Sequence, residues 1–338
     1  MKRLVLAAAL IAGLPAVAGA QALTAAGIAD GFTLSTFYTD VIGSYPLLDV
    51  ATAPDGTLIG SGYGYSRLLR FNEGAGTTVN DLKYSDNIAV GSLGGTTGTG
   101  IATVGGSTYV NILNNGIYKI DPTTLGLSLV ANTNTTKPAY GLWAGPGGSL
   151  VYGSSSGVYK VDPATGTITQ IGNVGGVDGV SVSPDGTIAY AEAGYNIYAY
   201  NLTTPAPDAP LHIYTSDAIH NPDGTGVISG GALNGQIVVS NNGGYRNPDT
   251  GLTESGSIGL IDPSTGLTTI IVDGLARGDL VGPDTNNGTL LIADYNQVLR
   301  LGLVGATIGS TDAPEPASMA LLGAGLVGLG ALRRRKRD

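Results

Sequence analysis

Three stretches of the 338-residue chain share one pattern: IYKIDPTTLGLSLV (117–130), VYKVDPATGTITQI (158–171) and IGLIDPSTGLTTII (258–271). Each begins with the alternating polarity of a half-buried β-strand, continues with Asp-Pro-x-Thr and then alternates again. Proline presets the backbone angle of a turn, and the aspartate before it can bond the backbone two residues further on. Each stretch is therefore predicted to be a β-hairpin.

A second recurring piece consists of an apolar strand, a turn rich in Pro, Asp and Gly, and another apolar strand. Its six copies, spaced roughly 40–50 residues apart, are VATAPDGTLIGSG (50–62), IATVGGSTYVNIL (101–113), LWAGPGGSLVYGS (142–154), VSVSPDGTIAYAE (180–192), GGALNGQIVVSNN (230–242) and LVGPDTNNGTLLIAD (280–294). Such a piece followed by a hairpin makes four strands, the content of a β-propeller blade. The regular spacing favours a propeller over a pair of β-sandwiches.

The sixth unit lacks a fourth strand of its own. Its last strand, VLRLGLVG (298–305), is followed by no further one, whereas GFTLSTFYTDV (31–41) alternates like a strand and belongs to no unit. We expect residues 31–40 to pair with 298–305, which completes the sixth blade and removes an open sheet edge. The predicted fold is all-β: a six-bladed β-propeller of four-stranded blades over residues 31–309.

One blade, DGVSVSPDGTIAYAEAGYNIYAYN (178–201), resembles the N-G-L-x-W-S-P-D-G motif of the propeller group that includes the gluconolactonase and NHL-repeat families. In gluconolactonase-like enzymes the Asn that opens this motif helps to bind a divalent metal in the central channel, and Asp178 takes its place here. The family's N-terminal acidic motif has no counterpart, and Asp49 is the substitute that the sequence offers. Asp223 loosely matches a further metal-binding aspartate.

The resemblance implies a divalent cation such as Ca²⁺, because hard cations take several oxygen ligands. The expected ring of ligands is Asp49, Asp178, Asp223 and Asp279. The alternative is that these are turn and strand-entry aspartates of separate blades. Nothing else in the sequence requires a cofactor.

The N-terminus has the parts of a secretory signal peptide: a charged start, an apolar run and a region of small residues. The small residues place the cleavage after Ala20 or Ala22. We therefore expect residues 1–20 to be removed after export through the Sec pathway, with 21–30 leading into the propeller.

The C-terminus, after a linker at 310–313, reads PEPASMALLGAGLVGLGALRRRKRD (314–338). The apolar run 317–332 would form a helix about 24 Å long, which can span a bilayer if the bilayer thins or flanking residues snorkel. It has no polar face, as a surface helix of a globular domain would. We expect a transmembrane helix followed by bases that stay in the cytoplasm, namely Arg333, Arg334, Arg335, Lys336 and Arg337.

This tail resembles the PEP-CTERM sorting signal of Gram-negative bacteria, with Pro314, Glu315 and Pro316 as the recognition motif. In that family the tail holds the protein at the inner membrane until an exosortase, a membrane-embedded cysteine transpeptidase, cleaves near the motif. The protein then passes to the cell surface or to the extracellular exopolysaccharide matrix. The resemblance implies processing and destination, and it leaves the ligand open.

Composition excludes or disfavours several classes of function. The chain has no cysteine, which excludes thiol catalysis and thiolate metal sites. Without the two end segments, nine basic and 23 acidic residues remain, a net charge of about −14 that argues against nucleic acid as a partner. Formal matches to a nucleophile elbow (153–157) and to a dinucleotide-binding motif (323–328) fall between two strands and in the apolar tail, so neither predicts a site.

No convergent set of acid, base and nucleophile is recognisable in the sequence, so a binding protein is favoured over an enzyme. The leading hypothesis is a surface propeller that binds exopolysaccharide or another envelope protein. The alternative is a metal-dependent, lactonase-like hydrolase with a carboxylate site in the channel.

Changing Pro314, Glu315 and Pro316 together to alanine should block cleavage and leave membrane insertion intact. The apolar run and the terminal bases are unchanged, whereas the extended backbone that proline imposes is lost. A full-length form should therefore accumulate in the inner membrane. Mass spectrometry of the released wild-type protein provides the check, and finding residues 317–338 still attached would show that the tail is a permanent anchor.

Overall fold

The computed structural model describes residues 21–39, 47–62, 65–71, 82–83, 89–93, 98–134, 139–246, 251–279, 281–295 and 297–309. The predicted signal peptide, including Ala20, and the predicted sorting tail with its helix at 317–332 lie outside these residues. Within them, no helix has the length and apolar character needed to cross a membrane.

The chain forms a ring of six sheets, which confirms the predicted six-bladed propeller. The segments before the ring are β1 (Ala22–Leu23), α1 (Ala25–Ala29) and β2 (Phe32–Thr39). Blade one contains β3 (Leu47–Thr52), β4 (Leu58–Gly62), β5 (Tyr65–Phe71) and β7 (Ala89–Ser92), with β6 (Leu82–Lys83) between the last two. Blade two contains β8 (Gly98–Val104), β9 (Ser107–Ile112), β10 (Gly116–Ile120) and β11 (Leu127–Asn132).

The remaining blades follow the same plan. Blade three contains β12 (Ala139–Ala144), a 3₁₀ turn (Pro146–Gly148), β13 (Leu150–Ser154), β14 (Gly157–Asp162) and β15 (Thr167–Gly172). Blade four contains β16 (Val177–Val182), β17 (Ile188–Ala193), β18 (Asn196–Asn201) and β19 (His212–Thr215). Blade five contains β20 (Pro222–Ser229), β21 (Ile237–Asn241), β22 (Gly256–Ile261) and β23 (Thr268–Leu275). Blade six contains β24 (Val281–Asp284), β25 (Thr289–Asp294) and β26 (Gln297–Leu303), and β27 (Thr307–Ile308) follows.

The three Asp-Pro hairpins are confirmed as the outer strand pairs of blades two, three and five. In each turn the aspartate side chain accepts a hydrogen bond from the backbone amide two residues further along the chain, as expected for this motif. The N···O distances are 2.9 Å for Asp121, 2.9 Å for Asp162 and 2.8 Å for Asp262. Backbone hydrogen bonds lower the pKa of Asp121 and Asp162, and the Ser264 hydroxyl followed by the backbone amide lowers that of Asp262.

The strand pair of blade five begins earlier than the sequence pattern indicates. The copy at 230–242 contains only the second strand of the pair, because the first strand is β20 and residues 230–236 form the turn. Gly230 and Gly235 have φ of +87° and +85°, which a strand cannot adopt. The segment NPDGTG has the composition of a turn, and this composition concealed the start of β20.

The predicted closure of the ring is confirmed. β2 pairs antiparallel with β26, from Phe32 opposite Leu303 to Thr39 opposite Gln297, and so provides the fourth strand of blade six. Phe37 of β2 also packs edge-on against Phe71 of blade one, with ring centroids 5.4 Å apart. The strand therefore joins the last blade to the first.

Both ends of the described chain also reinforce blade five. β1 pairs with the outer edge of β23, with Ala22 opposite Asp273. Helix α1 packs so closely on the same strand that a Cβ added to Gly27 would lie 2.4 Å from the Ile271 carbonyl oxygen. β27 pairs with the end of β20, with Ile228 opposite Ile308. The lead segment 21–30 is thus part of the folded ring.

A buried ion pair lies where blades six and one meet. Arg300 of β26 contacts Asp284 at the end of β24, and the two side chains are 3% and 0% exposed. The guanidinium carbon of Arg300 lies 5.0 Å from the ring centroid of Phe37, and Asp284 accepts the Thr52 hydroxyl of blade one at 3.3 Å. The amide of Thr285 donates to the same hydroxyl at 2.9 Å. This network connects blade six, blade one and β2.

Changing Arg300 to Met should lower the free energy of unfolding by about 3–5 kcal/mol, because the Asp284 carboxylate is left buried without its partner. Adding Asp284→Leu should recover part of this loss, since the unpaired charge is then removed. Urea unfolding of the two variants measures both effects.

The control is Lys119→Met, which removes an exposed cation from blade two. Its effect should stay within about 0.5 kcal/mol. An Arg300 variant as stable as this control would show that the ion pair does not support ring closure.

Candidate functional site: the acidic mouth of the channel

Strand direction divides the propeller into two faces. The first strands of the blades (β3, β8, β12, β16, β20 and β24) lie side by side around the central channel. We name the side where these strands begin the upper face; it also carries the turns between second and third strands. The lower face carries the turns between first and second strands and between third and fourth strands.

A β-bulge interrupts the first strand of each of blades one to five close to the upper face. The pairing register shifts between residues 47 and 49, 98 and 100, 140 and 143, 177 and 180, and 222 and 224. Bulges re-aim side chains and are frequent beside functional sites. Asp178 and Asp223 lie in two of these bulges, and Asp49 directly follows a third.

Below the bulges the first strands approach one another very closely. A Cβ added to Gly179 would lie 2.5 Å from the Asp223 carbonyl oxygen, and one added to Gly282 would lie 1.8 Å from that of Val50. Only glycine permits this spacing. The channel is therefore narrow where these strands meet inside the ring.

Three of the four predicted aspartates come together at this opening, on blades four, five and six. The carboxyl groups of Asp223 and Asp279 are in hydrogen-bonding contact, and Asp178 interacts electrostatically with both. Burial raises the pKa of Asp223 well above its ordinary value, with further contributions from Asp279 and Asp178. Asp178 keeps contact with solvent, yet the surrounding protein and then Asp279 raise its pKa as well.

A fourth carboxyl group, Glu192 of β17, belongs to the same cluster. One of its oxygens accepts a hydrogen bond from the Gly179 amide. The other, Oε2, has no hydrogen-bond partner among the described residues, although the residue is only 1% exposed. Burial, then Asp223 and Asp178, raise the pKa of Glu192 well above its ordinary value. We name Asp178, Glu192, Asp223 and Asp279 the acidic mouth.

Sequence reasoning missed Glu192. The residue is the only charged one in a strand that is otherwise apolar, Ile188–Ala193. The signal that could have found it is a single acidic residue within an otherwise apolar inner strand. An inner strand of a blade is covered on both faces, so an acid there is buried.

Asp49, the fourth predicted ligand, has different partners. Its carboxylate accepts the Val50 amide at 2.7 Å and the Ile101 amide of blade two at 2.8 Å. Burial raises the pKa of Asp49, and these two bonds oppose the rise. The group ties blade one to blade two, and both of its oxygens already accept a hydrogen bond.

The rim of the acidic mouth carries a cation on the blade-six side. Arg277 Nε lies 2.9 Å from Asp279 Oδ2, and the Arg277 side chain is half exposed. The Arg277 amide donates to Asp294 at 2.6 Å, which holds this segment against blade six. Asp279 is therefore paired on one side with a cation and on the other with the Asp223 carboxyl.

The long connection between β21 and β22 supplies the rim on the blade-five side. The Asn242 amide donates to the Asp223 carboxylate. Tyr245 stacks on His220, with ring centroids 4.5 Å apart, and Glu254 Oε2 lies 2.9 Å from His220 Nδ1. This arrangement places an aromatic pair and an amide beside the acidic mouth.

The residues of the acidic mouth fit a cation in charge and in donor type, because all are oxygen donors and one oxygen is unsatisfied. Within the part of the chain that the structure describes, no three His, Asp or Glu side chains are arranged closely enough to enclose a metal ion. The described carboxyl groups influence one another electrostatically without forming such an enclosure. The predicted metal role of Asp49, Asp178, Asp223 and Asp279 stays a prediction.

Comparisons with known proteins agree with the sequence and the fold. A family model described as a PEP-CTERM protein-sorting motif matches residues 312–336. No curated protein matches the chain. A gluconolactonase from Xanthomonas campestris is similar in structure, with a TM-score of 0.63 and 16% identity over 84% of this chain and 94% of its own.

Two further solved structures show the same fold. Regucalcin of Agrobacterium tumefaciens, described as a calcium-binding protein, has a TM-score of 0.59 and 15% identity, covering 82% of this chain and 98% of its own. A streptogramin B lyase has a TM-score of 0.51 and 13% identity, covering 81% and 98%. Their activities differ, so these similarities establish the fold alone. The chain is a six-bladed β-propeller that carries a PEP-CTERM protein-sorting motif at its C-terminal end.

Proposed function

We propose that the protein is an exported, exosortase-processed propeller that binds a ligand of the cell surface or matrix at its acidic mouth, with the help of a divalent cation such as Ca²⁺. The observation that carries this proposal is Oε2 of Glu192, which is buried, has no hydrogen-bond partner among the described residues and belongs to a side chain that interacts with the carboxyl groups of Asp223 and Asp178. A buried acceptor without a donor costs free energy. Carboxylates that share a site also repel one another. A bound cation removes both costs.

The surrounding residues have distinct parts in this proposal. Asp178, Glu192 and Asp223 would supply oxygen ligands from blades four and five, and Asn242 would hold the Asp223 carboxylate in place. Arg277 neutralises part of the charge of Asp279 at the rim. Hydroxyl or carbonyl oxygens of the ligand would complete the coordination, which suits a polysaccharide or a loop of another envelope protein.

The cation should stabilise the protein through the acidic mouth. At about 100 times its Kd, Ca²⁺ should raise the free energy of unfolding by about 2.7 kcal/mol. Glu192→Gln should abolish most of this rise, because it removes a charged ligand at nearly constant shape. The effect should be larger at neutral than at acidic pH, because protons compete for carboxyl groups with raised pKa. Thermal unfolding of chelator-treated protein with and without added Ca²⁺ gives the values.

Asp217→Asn is the matched control. This aspartate lies on the exposed connection between blades four and five, on the same face but outside the acidic mouth. The control variant should respond to Ca²⁺ like the wild type. If Glu192→Gln also responds like the wild type, or if Ca²⁺ has no effect on the wild type, the cation does not bind at the acidic mouth.

A second candidate function is lactone hydrolysis. The contact between Asp223 and Asp279 favours it, because two carboxyl groups in contact, one of them with a pKa raised by burial, are a common arrangement for acid–base chemistry. In this case water would attack the lactone carbonyl, Asp223 would give its proton to the departing ring oxygen, and Asp279 would hold the Asp223 carboxyl group in position. The structural similarity to a gluconolactonase supports testing this reaction first.

Hydrolysis of gluconolactone, followed by acid release with and without Ca²⁺ or Zn²⁺, distinguishes the two functions. A binding protein should show no turnover above the spontaneous rate. Metal-dependent turnover that Asp223→Asn reduces by about 100-fold or more would establish the hydrolase instead. Asp217→Asn again serves as the control, and its turnover should equal that of the wild type.

A further inference from the structure

We propose that the sorting tail anchors the propeller with its lower face towards the membrane and its acidic mouth directed away from the membrane. In this arrangement the processing enzyme meets the lower face, while the upper face remains open to a ligand. The proposal concerns the orientation of the whole domain and does not depend on what the acidic mouth binds.

The exit point of the chain determines this orientation. β27 pairs with the lower end of β20, with Ile228 opposite Ile308 and Ser229 opposite Thr307. The Gly309 amide then donates to the Val227 carbonyl at 2.9 Å. A Cβ added to Gly309 would lie 2.4 Å from the Pro283 side chain, so the last described residue is packed against blade six. The chain therefore leaves the propeller at a fixed place on the lower face.

The distance from this exit to the sorting motif is short. Four residues, Ser310 to Ala313, separate Gly309 from Pro314. Even fully extended, the five residue steps from Gly309 to Pro314 reach about 18 Å. A strand of seven residues such as β26 is about 23 Å long, so this linker cannot carry the motif around to the upper face. The cleavage site must lie close under the lower face.

Charge on the lower face keeps it from lying flat on an anionic lipid surface. The turns of this face carry five aspartates whose pKa is lowered by turn hydrogen bonds: the exposed Asp55, Asp121, Asp162 and Asp185, and the partly exposed Asp262. Arg70 offsets only one of them, at 3.8 Å from Asp55. Anionic headgroups repel such a face. The linker thus stays accessible to the enzyme within the short distance that it spans.

Blade six provides a matched pair of label sites. Tyr295 and Val304 lie at the upper and lower ends of β26, and they are 65% and 78% exposed. The chain has no cysteine of its own, so a single cysteine at either position is a unique site for a fluorophore. The full mature chain, residues 21–338, is reconstituted into vesicles that contain nitroxide-labelled headgroups.

The label in Val304→Cys should lose much of its fluorescence on reconstitution, and the label in Tyr295→Cys should lose little, because nitroxide quenching acts over a short range. Equal quenching at both sites, or stronger quenching at 295, would overturn the proposed orientation. An absence of quenching at both sites would also contradict it, because the linker cannot hold the lower face far from the bilayer. Soluble nitroxide serves as the control, since it should quench both labels alike.

Processing in cells gives a second, independent readout. Deleting residues 310–313 should abolish cleavage, because the motif is then drawn against the lower face, whereas insertion should persist. Adding four Gly and Ser residues at the same place should leave cleavage unchanged. Cleavage of the deletion variant at the wild-type rate would show that the lower face does not confine the enzyme.

Discussion

The pairing of β2 with β26 is the interaction on which the rest of the structure depends. The chain crosses five complete blades and returns to a sixth that has only three strands of its own. Residues 32–39 fill the missing position from the opposite end of the sequence. Because all of blades one to five lies between the paired strands, this contact closes a long loop and is opposed by loop-closure entropy. Arg300 and Phe37 reinforce this pairing. Arg300 forms an ion pair with Asp284, and its guanidinium group packs on the Phe37 ring at the junction of blades six and one.

Closure of the ring brings the first strands together, and their close approach decides what the centre of the molecule can do. Glycine at positions such as 179 and 282 lets backbone contact backbone, so little free volume remains inside the channel. The bulges above this level place acidic side chains at the opening instead. Gathering four carboxyl groups in partly desolvated surroundings costs stability, and proteins concentrate such costs at functional sites.

The two faces of the ring have separate properties. The upper face carries the acidic mouth, Arg277 and the stacked pair of His220 and Tyr245. The lower face carries the Asp-Pro turns and the exit of the chain towards the sorting motif. Because every first strand runs from the upper to the lower face, this separation follows from strand direction alone. The proposed ligand site and the exit of the chain towards the sorting motif therefore lie on different faces.

The sequence by itself determined the features that rest on local chemistry. Alternating polarity, Asp-Pro turns and a regular repeat predicted six four-stranded blades, and an unassigned strand at 31–41 predicted how the ring closes. The order of Pro-Glu-Pro, apolar run and bases predicted the sorting signal at 314–338, and the family model matches residues 312–336. Tertiary structure alone decided the membership of the acidic mouth. When the repeats are aligned, Asp49 corresponds to Gly179, the residue that follows Asp178. A shift of one residue along a strand turns the side chain to the opposite face of the sheet. The Asp49 carboxylate therefore accepts a hydrogen bond from blade two. Glu192, in contrast, reaches the acidic mouth from a second strand of blade four. The bulges and the packing of the blades decide both positions.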